Sequence, residues 1–327
     1  MLKIENLFIP KPMKKILLSG IVVLLSVSIM AQNGAYLKMN LEKNKVYRLK
    51  SSSQQTITQT INGNQQITDA KVDYTLSLKM IDATADFMVT EIHIDTMKTN
   101  TNAMGKTIIV NSAVDGDIKS AEMGDVLSCF ANRLSKNALY VKMDFKGKVI
   151  EIVNAKMLSD VIMKDTSSIT IAGMIGTGVK KQIAEMISAR SMETIIEMFT
   201  YHLPGKQVTA GDNWDINVTT TTGGMYLDIN TKYHLNGING NSANLTVESA
   251  IKTSANAAPI ISGPAKVTYD DINGLSKSTM MTDISTGLII EDKAKTHIAG
   301  NLGISGPGFS MTMPMEINGE SKVVAFQ

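Results

Sequence analysis

The amino-acid sequence predicts an α+β protein whose main element is a curved antiparallel β-sheet. Three observations favour this fold class: apolar and polar residues alternate over many short runs, Asn-Gly pairs separate these runs, and two segments carry apolar residues at helical spacing. The chain is 43% hydrophobic and 19% charged, which suits a sizeable core. We expect a sheet or sheets built from two similar β-rich halves, with two or three helices packed on the concave side.

Residues 1–31 have the pattern of a secretory signal peptide. Two lysines precede an uncharged, mostly apolar run over residues 16–30, and the small Ala31 follows. The run is shorter than the roughly 20 residues that a membrane-spanning helix needs. We therefore expect cleavage after Ala31, with Met13 as an alternative start, and no transmembrane anchor after cleavage.

The charge balance of the remaining chain argues against nucleic acid as a partner. The whole sequence has a net charge of +2, but residues 1–31 hold four lysines and one glutamate, which leaves 28 basic and 29 acidic residues. A chain without a basic excess has little attraction for nucleic acid. The single cysteine, Cys129, allows no internal disulfide and lies far from the expected cleavage site, so we expect no lipoprotein anchor. These observations predict a periplasmic or secreted protein.

The first β-rich half is expected over residues 37–153. Apolar residues alternate with polar ones over residues 74–80, the period of a strand with one buried face. The alternation then changes phase, which predicts a bulge or bend near Thr90 and Glu91. Apolar residues at helical spacing predict a helix near residues 122–134.

The rest of the chain is expected to continue in two parts. Residues 155–205 are predicted to form a helical connection, in which the segment from Lys180 to Tyr201 is a helix with its apolar stripe against the sheet. Residues 206–327 are predicted to form the second β half. The mature length is near the upper limit for one core, so we expect a single two-lobed domain over residues 32–327.

Internal similarity suggests that the two halves diverged from a duplicated unit. The stretch Asp144–Glu151 parallels Asp283–Glu291, because each indicates a strand, a glycine turn and an apolar return strand. Alternation and glycine turns shared by any β-meander are the alternative explanation. The Gly-Asp-Asn cluster before Trp214 predicts a turn that starts a strand, with the tryptophan largely buried.

Uncharged, methionine-rich segments indicate a possible apolar binding site. Between Lys295 and Glu316 there is no aspartate, glutamate, lysine or arginine, and residues 169–179 are similar. Because methionine adapts its shape, such segments favour a site for a lipid or other hydrophobic small molecule between sheet and helices, although methionine as ordinary core filler is an alternative. The candidate ligand or lid residues are Ile171, Met174, Ile175, Met186, Ile195, Met198, Phe199, Phe309, Met311 and Met313.

The sequence predicts no catalytic residue, no metal ligand and no cofactor. The glycine-rich stretch over residues 168–183 lacks the Lys-Ser/Thr pair that a phosphate-binding loop needs after its last glycine. The four histidines are scattered without metal-binding spacing, and the acidic residues over 69–95 do not match a calcium loop. No Gly-x-Ser-x-Gly motif occurs.

Several short segments are similar to a known family. They are Leu-Pro-x-x-x-Val-x-x-Gly-Asp-x-Trp within His202–Trp214, the Tyr-x-Leu strand at Tyr233, and Asp270–Gly274 followed by the hairpin Asp283–Leu288. On these motifs the sequence resembles a family of exported Gram-negative proteins classed as a domain of unknown function. The resemblance implies a β-rich exported protein and supplies no catalytic residues. By analogy of fold alone, it is also similar to the half-barrel lipoprotein carriers of the envelope.

We therefore expect a non-enzymatic envelope protein that binds a lipid or another apolar ligand between its sheet and its helices. One alternative is a structural or protein-interaction module with a filled core and an envelope protein as partner. The other is a hydrolase whose site the sequence does not reveal.

Overall fold

A computed structural model of the chain describes residues 34–61, 63–169, 171, 183–184, 187–222, 225–262 and 264–326. The expected signal peptide lies outside these residues. The described helices are α1 (Met123–Ser135), α2 (Ala155–Ile162) and α3 (Ala189–Thr200), with a 3-10 turn at Thr166–Ser168. The described strands are β1 (Ala35–Leu37), β2 (Val46–Ile61), β3 (Asn64–Ala83), β4 (Met88–Ala103), β5 (Lys106–Asn111), β6 (Leu139–Met143), β7 (Val149–Ile152), β8 (Lys206–Val208), β9 (Asn213–Thr222), β10 (Met225–Asn239), β11 (Ser242–Thr253), β12 (Ile260–Ser262), β13 (Ala265–Asp283), β14 (Ile289–Gly306) and β15 (Phe309–Phe326).

One sheet contains 13 of the described strands. Its order is β7-β6-β4-β3-β2-β15-β14-β13-β11-β10-β9, with β5 paired to β4 and β12 paired to β13. Every pair is antiparallel. Strands β1 and β8 form a separate two-stranded ribbon.

The centre of the sheet is the pairing of β2 with β15, which are far apart in the chain. In its register Ile57 lies opposite Ile317 and Ser51 opposite Val323. The strands over residues 64–152 lie on one side of this pair, and those over residues 213–306 lie on the other. The similarity of the two sides to each other stays a prediction.

The sheet is strongly curved. Met225 of β10 lines one groove together with Ile57 and Gln59 of β2, although five strand-to-strand steps separate β10 from β2 in the sheet order. In a flat sheet, five steps would place these strands roughly 24 Å apart. The groove therefore requires the sheet to curl, and the predicted curved antiparallel sheet with accompanying helices is confirmed at this level.

The helices share one hydrophobic core with a single face of the sheet, here called the inner face. Phe130 of α1 and Phe199 of α3 are fully buried in the same cluster as Leu49 of β2, Leu76 of β3 and Leu245 of β11. This main cluster contains residues from both sides of the β2–β15 pair. A smaller cluster lies further along the inner face; its buried members are Leu227, Ile251, Ile272, Ile298, Met315 and Ile317.

The helix prediction near residues 122–134 agrees with α1 to within one residue at each end. Only part of the helix predicted over residues 180–201 can be compared, because residues 180–182 and 185–186 lie outside the described part of the chain. There α3 begins after Ser188, whose hydroxyl accepts a hydrogen bond from the backbone N–H of Ser191 at 3.2 Å. This is an ordinary N-terminal cap.

The bulge or bend predicted near Thr90 and Glu91 is only partly correct. In β4, Met88, Thr90, Ile92 and Ile94 are all buried on one face, so β4 keeps its phase through this region. The register does shift beside Thr90, but the extra residue is on the partner strand β3, because Met80 pairs with Thr90 and Asp82 pairs with Val89. A second shift lies at Asp95, because Thr96 pairs with Thr75 and Ile94 pairs with Leu76. A polar residue on the inner face hid the pattern: Thr90 is fully buried and its hydroxyl donates to a backbone oxygen of β6.

A segment near the start of the described chain bridges the two sides of the sheet at one end. This is the end where β6 connects to β7 and β13 connects to β14, here called the lower end. The N–H of Met39 donates to the carbonyl of Phe145 at 2.7 Å, and the N–H of the next residue, Asn40, donates to the carbonyl of Thr286 at 2.9 Å. Phe145 and Thr286 belong to the glycine turns that lead into β7 and β14, on opposite sides of the β2–β15 pair. One extended segment therefore links the two sides of the sheet.

Candidate functional site

The segment His202–Trp214, which carries most of the family resemblance, has a structural role. Trp214 is 8% exposed, as predicted, and its Nε1 donates to the carbonyl of His202 at 3.1 Å. Asp212 accepts a hydrogen bond from the N–H of Thr209 at 2.7 Å and closes the turn before β9. These contacts join α3 to the start of β9.

Four side chains among the described residues have buried polar atoms without a hydrogen-bond partner: Gln66, His202, Thr282 and Asp292. Neither ring nitrogen of His202 has a partner, and Oδ1 of Asp292 has none. Burial lowers the pKa of His202 to about 4 and raises the pKa of the Asp292 carboxyl. Burial also raises the pKa of Tyr233, with a smaller contribution from Asp292. In each case burial disfavours the charged form of the group, which suits a packed interior.

The described part of the chain contains no group of three or more histidine, cysteine, aspartate or glutamate side chains placed to hold a metal ion. None of its helices is both long enough and apolar enough to cross a bilayer.

The sequence-predicted site residues fall into two separate groups. Ile171, Ile195 and Phe199 pack in or against the main cluster, whereas the side chain of Met198 is 51% exposed on the opposite side of α3. The second group lies on β15, where Phe309 is 50% exposed, Met311 is 38% exposed and Met313 is buried. The remaining three, Met174, Ile175 and Met186, lie outside the described residues.

A groove of about 330 Å³ lies on the inner face, where the smaller cluster meets the middle of the sheet. We call it the inner groove. Its apolar lining consists of Ile57, Met225, Tyr269, Ile298, Met315 and Ile317. Its polar lining includes Ser53, Gln55, Gln59, Thr296 and Ser321, and Gly319 opens space beside them.

Strand register explains why these residues meet. Ile57, Ile317 and Ile298 are direct cross-strand neighbours on β2, β15 and β14, and the row continues through Gly274 to Ile251. The next row toward the lower end holds Gln55, Gly319 and Thr296, which are small or polar. The inner groove therefore presents an apolar row beside a polar one.

The apolar lining continues along β15 toward the upper end of the sheet, where β14 and β15 are connected. Alternate residues of β15 form this β15 stripe: Ile317, Met315, Met313, Met311 and Phe309. The first three are at most 6% exposed, and exposure then rises to 38% at Met311 and 50% at Phe309. The stripe thus runs from the inner groove to the outside of the protein.

Sequence reasoning identified the upper part of the β15 stripe but missed the inner groove. Ile57, Met225, Tyr269 and Ile298 come from four different strands, and nothing in their local sequence distinguishes them from other inward-facing residues. Only the cross-strand register could have brought them together.

Comparison with known proteins gives similarity without a known activity. No curated protein matches the chain. A lipovitellin structure that describes lipid–protein interactions is 10% identical, with a TM-score of 0.43; the match covers 88% of this chain and 25% of that chain. The chain therefore spans about a quarter of the length of lipovitellin.

Two further solved structures are similar over most of their length. An outer membrane channel from Pseudomonas putida F1 is 8% identical, with a TM-score of 0.26 and coverage of 88% of this chain and 97% of that chain. A DUF1329 family protein from Desulfovibrio piger ATCC 29098 is 6% identical, with a TM-score of 0.14 and coverage of 92% and 90%. All three TM-scores lie below 0.5, so these similarities assign neither a fold nor a function.

A family model gives the firmer result. It matches residues 85–289, which is more than half of the chain and includes the Leu-Pro and Gly-Asp-x-Trp motifs. The expected membership in a family of unknown function is confirmed: the chain belongs to the DUF6263 family, a family of unknown function.

Proposed function

We infer that the protein binds a lipid or another apolar ligand in the inner groove and performs no catalytic step. The observation that carries this proposal is the continuity of the β15 stripe. Its apolar side chains line the groove at Ile317 and Met315 and become exposed at Met311 and Phe309. An apolar molecule could contact one uninterrupted series of side chains from the outside of the protein to the groove.

The chemistry of the lining suits an amphipathic ligand. The row of isoleucine and methionine would bury an apolar chain, and methionine adapts to chains of different shape. Gln55, Thr296 and Ser321 would offer hydrogen bonds to a polar group at the other side of the groove. This lining contains no lysine or arginine, and its one charged residue is Glu320, so a neutral polar group fits it better than an anionic one.

We assign a structural role to the buried titratable groups. His202 is 2% exposed and lies in the junction between α3 and β9, among residues of the packed interior. Its low pKa follows from burial, and packing accounts for it without a reaction.

We also propose that the protein is exported and is periplasmic or secreted. The support for this is the signal-peptide pattern of residues 1–31. Cell fractionation followed by N-terminal sequencing tests it. A mature N-terminus at Gln32 is expected, and an uncleaved chain in the cytoplasm would contradict the proposal.

Filling the inner groove tests ligand binding directly. Gly319→Val adds a side chain inside the groove, and its Cβ would meet its nearest atoms at an ordinary 3.6 Å, so the strand should fold. We expect the variant to lose affinity for a fluorescent monoacylglycerol, whose polar group is neutral. Gly237→Val is the matched control, because Gly237 lies on β10 outside the groove and an added Cβ has no atom within 4 Å.

The protein purified from its own cells provides a second test. Native mass spectrometry should detect a bound apolar molecule that organic solvent extracts. If the purified protein carries no such molecule and the monoacylglycerol binds equally to the Gly319→Val variant, the groove is not a ligand site. The alternative of a structural or protein-interaction module would then be favoured.

A further inference from the structure

The topology gathers uncharged sequence at the upper end of the sheet. Five connections lie there: β2–β3, β4–β5, β9–β10, β11–β13 and β14–β15. All of these connections except β4–β5 lie in stretches that hold no aspartate, glutamate, lysine or arginine: 51–68, 216–227, 253–265 and 296–315. The chain as a whole is 19% charged, so a stretch as long as 296–315 would ordinarily carry about four charges. These stretches are separated in sequence, and only folding brings them to one end.

Two of these connections project furthest. Phe309 lies eight residues beyond Ile317 along β15, whereas the end of β2 lies four residues beyond Ile57, the partner of Ile317. At the rise of a β-strand, Phe309 stands roughly 13 Å beyond the end of β2. The turn between β12 and β13 is beside it, because Lys266 pairs with Ser305. We call the strand ends around these two turns the neutral edge; it comprises residues 260–262, 264–266 and 304–312.

The neutral edge exposes large apolar side chains. Ile261 is 60% exposed, Phe309 is 50% exposed and Met311 is 38% exposed. Most residues around them are glycine, proline, serine, threonine and alanine, and the one charged residue among them is Lys266, the cross-strand partner of Ile261. Phe309 and Met311 can enter a lipid interface while the long side chain of Lys266 keeps its ammonium group in water.

The continuity of the β15 stripe favours a lipid surface over a second protein. From Phe309 and Met311 the stripe passes through the buried Met313 to the inner groove. A protein partner would need to contact only the exposed members of the stripe, Phe309 and Met311. A lipid that left a bilayer at the neutral edge would meet apolar side chains along the whole route.

We propose that the neutral edge docks on a lipid bilayer and that apolar ligand passes along the β15 stripe into the inner groove. This proposal rests on the proposed function of the groove. Because the neutral edge has a single lysine, Lys266, and no basic cluster, docking depends mainly on apolar insertion rather than on attraction to anionic lipid. Neutral and anionic bilayers should therefore bind the protein about equally, and added salt should have little effect.

Vesicle flotation tests the docking step. The protein purified from its own cells should float with phosphatidylcholine vesicles, and phosphatidylglycerol vesicles should bind it no more than about twofold better. Phe309→Ser should weaken the partition into vesicles by roughly fivefold, the effect expected for a half-exposed aromatic ring that inserts, and Ile261→Ser together with Phe309→Ser should abolish it. Met157→Ser is the matched control, because Met157 is 53% exposed but lies on α2.

The variants separate this proposal from the proposed function. Phe309→Ser should still bind a fluorescent monoacylglycerol from vesicle-free buffer, whereas Gly319→Val should float normally but lose that binding. Docking is overturned if the protein does not float with phosphatidylcholine vesicles, or if Met157→Ser weakens flotation as much as Phe309→Ser. A concentration-dependent dimer that Phe309→Ser dissociates, without flotation, would instead identify a second copy of the chain as the occupant.

Discussion

The indole ring of Trp214 lies parallel to the phenol ring of Tyr233, with ring centroids 5.4 Å apart and planes within 4°. The two residues are direct cross-strand partners on β9 and β10. Both side chains are more than 90% buried, so this stacked pair packs on the inner face beside β9, the last strand in the sheet order.

Trp214→Ala should destabilise the protein by about 3–5 kcal/mol, because it leaves a large cavity beside Tyr233. It also removes the hydrogen bond to the carbonyl of His202. Trp214→Phe keeps an aromatic ring and should cost about half as much or less. Urea unfolding followed by circular dichroism measures both, and a near-neutral Trp214→Ala variant would contradict the packing.

Gly147→Ala should destabilise the protein more than Gly63→Ala, although both glycines have positive φ angles, of 86° and 80°. At Gly63 an added Cβ meets no atom within 4 Å, so only the backbone strain of about 1–2 kcal/mol applies. At Gly147 the Cβ would lie 1.9 Å from the carbonyl oxygen of Thr200 at the end of α3. The free energies of unfolding of the two variants give the steric contribution by difference; equal losses would show that α3 can move aside.

Two adjacent residues of α3 should respond differently to truncation. Phe199 is fully buried in the main cluster, so Phe199→Ala should cost about 3–5 kcal/mol. Met198 is 51% exposed, so Met198→Ala should change stability by less than about 0.5 kcal/mol. Thermal unfolding of both variants checks the orientation of the helix, and similar losses would mean that its buried face is different.

Stability should fall as pH decreases from 7 to 5 because of His202. Its pKa is lowered by burial from 6.5 to about 4, so between these values the unfolded chain binds a proton that the folded protein does not. The unfolding free energy should therefore decrease by about 2 kcal/mol between pH 7 and pH 5 from this group.

The variant His202→Phe isolates this contribution to the pH dependence. Asp292, whose pKa is raised, stabilises the folded state as pH falls and so acts in the opposite direction. Subtracting the urea-unfolding free energies of His202→Phe from those of the natural chain cancels the effect of Asp292. The difference between the two proteins should shrink by about 2 kcal/mol from pH 7 to pH 5, and a constant difference would show that His202 is not held neutral.

The sequence was sufficient to predict the elements that local periodicity encodes. The spacing of apolar residues predicted α1 closely, and the alternation predicted the antiparallel strands and the burial of Trp214. The bulge was predicted on β4, but the extra residue beside Thr90 lies on β3, so local alternation alone is not sufficient to place a bulge. Because Thr90 is polar yet fully buried, the local pattern did not reveal which face it occupied.

The candidate site depends on information that no local pattern contains. Met311 and Met313 were recognised because their neighbourhood is uncharged over a continuous stretch. Ile57 and Met225 were not, since they reach the groove only through strand pairing and through the curvature of the whole sheet. Residues predicted on α3 and residues predicted on β15 were joined into one site by composition alone, and the fold separates them.

The pairing of β2 with β15 affects the order in which the protein can fold during synthesis. Strand β2 is made early and β15 is the last described strand, yet β15 lies between β2 and β14. Until β15 emerges from the ribosome, β2 and β14 each present a long unpaired edge, and such edges can pair with other chains. Contacts this distant in sequence also form slowly. Productive folding therefore waits for a late, long-range step, and the nascent chain is most prone to aggregate just before that step.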